Sequence, residues 1–173
     1  MHGGDTEAAR ALWAAHVGRL TALARVVTGS HADAMDAVQE AFVAVLGLSA
    51  SEVMGIENAG AYLAGAVRAR ALNIVRASAR RERHERSVER GEPALRLVRG
   101  VDEDRALERA LGLLELDVRE AVALKHIAGL TFDQIAGVLG VPRATAASRY
   151  YGGIERLRTV LENDRPAQEV ARA

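Results

Sequence analysis

The sequence predicts an all-α protein, built as two small helical domains joined by a charged linker, the C-terminal one a helix-turn-helix. Three observations carry that prediction. Ala and Leu dominate a composition that is 49% hydrophobic and only 3% aromatic, which favours helix over sheet. Apolar residues recur three and four apart in stretches bounded by Ser, Thr, Asn, Asp or Gly, the residues that start and stop helices. Between two such sets of stretches lies HERSVERGEPALRLVRGV, residues 84–101, whose Gly91, Pro93 and Gly100 read as a tether. The 173 residues suffice for one ordinary domain or two small ones. The organisation expected is a helical domain over 1–83, the linker 84–101, a helix-turn-helix domain over 102–162 and a frayed, flexible tail over 163–173.

Each element has a local reason. Leu12, His16, Leu20, Leu23 and Val27 mark a first helix from about Thr6 to Thr28, with Gly29 as its stop. Ser30 caps a second helix, Asp33 follows in capping-box position, and Val38, Phe42, Val45 and Leu46 form its apolar stripe before Gly47. Residues 47–60 form a loop with room for one helical turn, and Asn58 caps a third helix starting at Ala59. That helix is apolar early, through Tyr62, Leu63, Ala66, Val67, Leu72 and Val75, and arginine-rich later, so it leaves the core as it proceeds. After the linker, Leu107, Leu111 and Leu114 give one amphipathic stretch from Asp102. Asp117, with Glu120 three residues on, caps a helix that Gly129 ends. Thr131 and Gln134 form a further capping box opening a helix with Ile135, Ala136 and Leu139 inward. Gly140, Val141 and Pro142 break it, and a last helix runs from Arg143 to about Glu162.

Composition also excludes. The chain has no cysteine, which removes disulfides, thiolate metal sites and a cysteine nucleophile and fits a reducing cytoplasm. His2, His16, His31, His84 and His126 have no ligand spacing, so no metal and no cofactor is expected. No nucleophile–base set or phosphate-cradling glycine loop stands out, so no catalytic residues and no enzyme activity are expected. The N-terminus lacks the pattern of an export signal, and no apolar stretch is long enough to span a bilayer, so a cytoplasmic protein without membrane insertion is expected. The formal net charge of zero conceals segregation: residues 1–67 carry −4, 68–99 carry +6, 100–142 carry −4 and 143–158 carry +3. Two acidic blocks each end in a basic one. Solvated helix faces give such blocks too, but the repetition fits two cationic surfaces meeting phosphates and two acidic ones meeting another partner.

Residues 117–158 carry the clearest motif. Two short helices meet at a glycine-containing turn, and the second opens with small and basic residues, the helix-turn-helix arrangement. Ala136 is small where helices cross, Gly140 permits the turn, and Pro142 sits where a helix start tolerates a missing N–H. On the last helix Ala146, Tyr150, Gly153, Leu157 and Leu161 share the inward side. Arg143, Ala147, Ser148 and Tyr151 share the other. Arg143 and Arg149 reach phosphates or guanine edges, Thr145 and Ser148 can bond phosphate oxygens, and Tyr151 completes the candidate DNA-contacting set. Gly152 and Gly153 each cost about 1 kcal/mol relative to Ala inside a helix, so a kink or fraying beyond Tyr151 is expected.

The stretch from Leu130 to Arg149 resembles the C-terminal domain of bacterial sigma factors of the sigma-70 family, particularly the extracytoplasmic-function class, through its L-T-x-x-Q-I-A-x-x-L-G-V-P-x-x-T core and following S-R. On the second helix Ala34, Asp36, Gln39, Glu40 and Phe42 are similar to the family's segment that docks on the polymerase clamp. Asp36, Gln39 and Glu40 share one exposed face able to pair with basic partner residues, while Phe42 is better placed to pack. The third helix resembles the promoter-melting helix through Tyr62-Leu63 and Arg76, but Ala69 stands where the family favours Asn, Asn73 where it favours Asp, and Met35 where Glu is common. Arg68, Arg70, Arg76, Arg80, Arg81 and Arg83 would track the phosphates of the downstream element. The resemblance implies a non-catalytic initiation factor whose partners are core RNA polymerase, promoter DNA and, as this class admits, an anti-sigma factor. The departures at Ala69 and Asn73 keep an alternative in play, a sigma-derived DNA-binding regulator that cannot melt promoters by itself.

Overall fold

The computed structural model describes residues 3–86, 107 and 109–170, all helical apart from their connections. The chain divides into two compact units, Met1–Leu97 and Val98–Ala173.

The first unit is built from α1 (Gly3–Thr28), α2 (His31–Leu46), the short α3 (Ala50–Met54) and α4 (Ala59–Arg86). Gly29, at φ +71°, ends α1. Ser30 then caps α2 by accepting the Asp33 N–H at 3.3 Å, the expected half of a capping box. Asn58 caps α4 through the Ala61 N–H at 2.7 Å. A feature missed in the sequence opens α3: the Ser49 hydroxyl accepts the Glu52 N–H while the Glu52 carboxylate accepts the Ser49 N–H at 2.8 Å. α1, α2 and α4 pack against one another. Their core is Leu20, Leu23, Ala24 and Val27 from α1, Ala34, Ala37, Val38, Ala41 and Phe42 from α2, and Leu63, Ala64, Val67 and Ala71 from α4. So many alanines keep side chains short at the contacts and let helices approach closely. Trp13 meets Phe42 edge-on, with centroids 4.7 Å apart.

Two details of the expected stripe change. Val45 is only half-buried and Leu46 is exposed. At about 100° per residue, Leu46 has rotated roughly a quarter turn away from Val38, out of the groove that Val45 still borders. Among the described side chains of α4 the last fully buried is Ala71, after which Arg76, Arg80 and Arg81 are exposed as expected. It continues past residue 83 to Arg86, and residues 87–101 of the expected linker lie outside the described residues.

The second unit contains a helical stretch at 107 and 109–112, α5 (Leu116–His126), α6 (Phe132–Leu139) and α7 (Arg143–Val170). Ala110, Leu114, Val122 and Leu157 form a core cluster, flanked by Leu111, Val118, Tyr150, Ile154, Val160 and Leu161. Leu107, expected in the amphipathic stripe, is exposed, and residues 102–106 lie outside the described residues. Arg119 donates from Nη2 to the Leu114 carbonyl at 3.0 Å, and its burial lowers the guanidinium pKa while the Glu120 charge opposes that shift. The helix cap expected at Asp117 is displaced. Glu115 stands at the cap position with no side-chain bond, while Asp117 accepts the Val118 N–H at 2.9 Å through Oδ1 and turns Oδ2 to α7, and Glu120 is buried.

The connection to α6 is tight. Gly129, at φ +71°, lets the Leu130 N–H reach the Leu124 carbonyl at 3.1 Å, and Lys125 Nζ donates to the Leu130 carbonyl at 3.1 Å. Both halves of the Thr131–Gln134 capping box are present, at 2.9 and 3.3 Å. Gly140, at φ +67°, ends α6, and the Val141 N–H closes back on the Ala136 carbonyl at 3.1 Å. The fraying expected beyond Tyr151 does not occur. α7 continues through Gly152 and Gly153, and past Glu162 to Val170.

Candidate DNA and polymerase interfaces

The DNA-facing candidates lie on the first turns of α7. Pro142 and the left-handed Gly140 set the entry of this helix, and buried Ala146 seats it, so the residues on the other side have a fixed direction. Arg143 and Ser148 are exposed, Tyr151 is 62% exposed, and Thr145 and Ala147 are half-buried. Tyr151 is held by neighbours rather than projecting alone: its ring centroid is 5.0 Å from Tyr150 and 5.8 Å from Phe132. Tyr150 in turn bonds His126 Nε2 at 3.0 Å, and Lys125 lies 5.0 Å over the Phe132 ring. Three of the chain's six Phe, Tyr and Trp residues therefore gather at this turn.

The two arginines of this surface are both engaged. Arg149 pairs with Asp117 of α5 at 2.7 Å, its side chain only 28% exposed. Arg143 pairs with Asp133 of α6 at 3.3 Å and stays open to solvent. Neither carboxylate was singled out from the sequence as a partner, because each pairing crosses from one helix to another.

In the first unit, α2 presents Asp36, Gln39 and Glu40 exposed, while Phe42 packs inside. Val43 and Leu46, at 72% and 59% exposure, continue the same face by three- and four-residue spacing. Sequence reasoning missed both. An acidic stretch thus runs into an apolar one on a single helix side, the make-up of a protein-docking face with a charged rim and a dry centre. On α4, Arg76, Arg80 and Arg81 are exposed and Arg68 and Arg70 half-buried; the side chain of Arg83 lies outside the described residues. Arg81 Nη2 donates to the Ser78 hydroxyl at 3.1 Å. Ala69 and Asn73 are exposed on this helix. Met35 is half-buried, its sulfur accepting the Thr21 hydroxyl at 3.4 Å. No described helix is long and apolar enough to cross a membrane.

A helical unit with an acidic-to-apolar exposed face and a basic helix, followed on the same chain by a helix-turn-helix unit, fits the class that the sequence resemblance implies, a polymerase- and promoter-binding initiation factor. The comparisons agree with that class. Residues 12–81 match the model of Sigma-70 region 2, and residues 104–157 match that of Sigma-70, region 4. No curated protein sequence matches the chain. Among solved structures, the sigma factor RpoE from Bartonella quintana, in co-crystals with the anti-sigma factor NepR, is similar in fold. Its TM-score is 0.67 at 24% identity, covering 84% of this chain and 91% of that one. The chain belongs to the sigma-70 family. Its function is therefore that of a sigma factor, directing core RNA polymerase to promoters for transcription initiation.

Proposed function

We propose that this chain is a sigma factor of the extracytoplasmic-function type that acts by positioning, without catalytic chemistry of its own, in the cytoplasm. The observation that carries the assignment of roles is the exposed face of α2, where Asp36, Gln39 and Glu40 lead into Val43 and Leu46. This face docks on core polymerase. Phe42 supports it from inside by packing on Trp13. The first two turns of α7, with Arg143, Thr145, Ser148 and Tyr151, read the upstream promoter element, and Arg149 sets the helix against α5 while keeping part of its surface for phosphate. The arginines of α4, Arg68, Arg70, Arg76, Arg80, Arg81 and Arg83, track phosphates of the downstream element. The co-crystallised Bartonella relative supports an anti-sigma factor as a third partner.

Reconstitution with core polymerase tests the reading. Holoenzyme formation and promoter-specific transcripts are expected, and absence of a complex at micromolar concentrations would sink it. Exposed Ala69 and Asn73 favour one second reading, a regulator that binds polymerase and DNA without opening the duplex. Its mark is a holoenzyme that binds promoters yet leaves their thymines unreactive to permanganate.

A further inference from the structure

We propose that Asp133 is a specificity-determining residue of the DNA-contacting surface, acting as a positioning residue through Arg143; the inference rests on the reading of α7 as the helix that contacts DNA. Asp133 lies in the first turn of α6, yet the start of that helix is already closed by the Thr131 hydroxyl and the Gln134 side chain. Its carboxylate instead faces across the turn, with Oδ1 3.3 Å from Nε of Arg143. The two side chains are 76% and 63% exposed. So open a pair contributes little to folding, and its effect falls on what Arg143 can do.

That effect has two parts. Asp133 meets Arg143 on its Nε side as an ion pair, so the terminal nitrogens remain open, and their paired N–H groups are suited to bond O6 and N7 of one guanine. The pairing thus orients the guanidinium end-on, towards a base edge, and removes one of the ways it can lie along a phosphate. The second part is charge. Arg149 is balanced by Asp117, so with Arg143 balanced by Asp133 the first two turns of α7 attract bulk phosphate weakly. Asp133 therefore disfavours sequence-independent contacts and favours directed ones, which is how a difference of affinities becomes specificity.

The test uses the full chain with a randomised duplex pool for selection and a random-sequence duplex for titration, comparing wild type with Asp133→Asn, Asp133→Glu and Arg143→Ala. For Asp133→Asn, random-sequence duplex should bind about fivefold tighter at low salt, with the log–log salt slope steeper by about one. Its selected sites should lose their guanine preference at one position, and Asp133→Glu should retain it. If Arg143→Ala alters slope and preference while Asp133→Asn leaves both at wild-type values, the inference is overturned and the reading of α7 stands. If Arg143→Ala changes neither, that reading fails and takes the inference with it. A merely structural Asp133 would weaken all duplex binding together with the unfolding midpoint, and that outcome also overturns the proposal.

Discussion

Gly153 of α7 lies so close to Val122 of α5 that a Cβ on the glycine would stand 2.6 Å from Val122 Cγ2, and 2.9 Å from Val118 Cγ1. The glycine is a contact surface between two helices, and its absent side chain is what lets them meet. Gly153→Ala should destabilise the second unit by about 1–3 kcal/mol through overpacking. The loss should appear in denaturant unfolding followed by far-UV circular dichroism, and Val122→Ala should recover part of it.

Gly152, one residue earlier, is exposed with open space where a Cβ would go. Here Ala should stabilise the same transition by up to about 1 kcal/mol, the cost of glycine inside a helix. Opposite signs at adjacent glycines separate tertiary fit from backbone propensity, and equal signs would refute the packing account.

Val43 and Leu46 are exposed in the free chain, so replacing both with Ser should leave the unfolding midpoint within error. Affinity for core polymerase should fall by about tenfold or more, as expected when apolar residues at the centre of an interface are removed. Fluorescence anisotropy of a labelled chain titrated with core polymerase measures it.

The ion pair between Arg149 and Asp117 should give a coupling of about 0.5–1 kcal/mol in a double-mutant cycle on unfolding, discounted for its partial exposure. An Arg149 serving DNA alone would show no coupling.

Glu52 gives a pH dependence of known sign. Hydrogen bonds from Ser49, first its hydroxyl and then its backbone N–H, hold the Glu52 carboxyl below the ordinary carboxylate range. Its pKa in the folded chain is thus below that in the unfolded one, so the stabilisation is fully present above the unfolded pKa. It is lost as pH falls through the folded pKa. The Ser49 amide resonance should titrate below the ordinary carboxylate range, and Glu52→Gln should abolish that titration.

What the sequence disclosed was what residues three or four apart do to one another. Ser30, Asn58 and the Thr131–Gln134 box begin helices where their types and spacing said they would, and Gly29 and Gly140 turn the chain in the left-handed region. The Ser49–Glu52 box obeys the same rule but opens a helix too short to show periodicity. Events between helices were not legible. Gly153 looked like a weak point because its cost is local and its benefit, the approach to Val122, is not. Asp117 looked like a cap, and one of its oxygens does accept the Val118 N–H, but the other pairs with Arg149, which lies a helix away. Leu46 satisfied the apolar spacing, and only the actual rotation of α2 tells that it points outward. The same gap hid Val43 and the partner of Arg143, so the two most informative additions to the site came from geometry.

One division of labour along α7 has an evolutionary consequence. The exposed residues proposed to meet DNA sit on its first turns, and Gly153 and Leu157, which pack with Val122 of α5, sit in later ones, with Arg149 near the start the exception through its pairing with Asp117. Mutations can therefore rewrite which promoters a descendant recognises without first passing through a misfolded ancestor. A duplicated copy could diverge quickly in regulon while its scaffold stays under purifying selection.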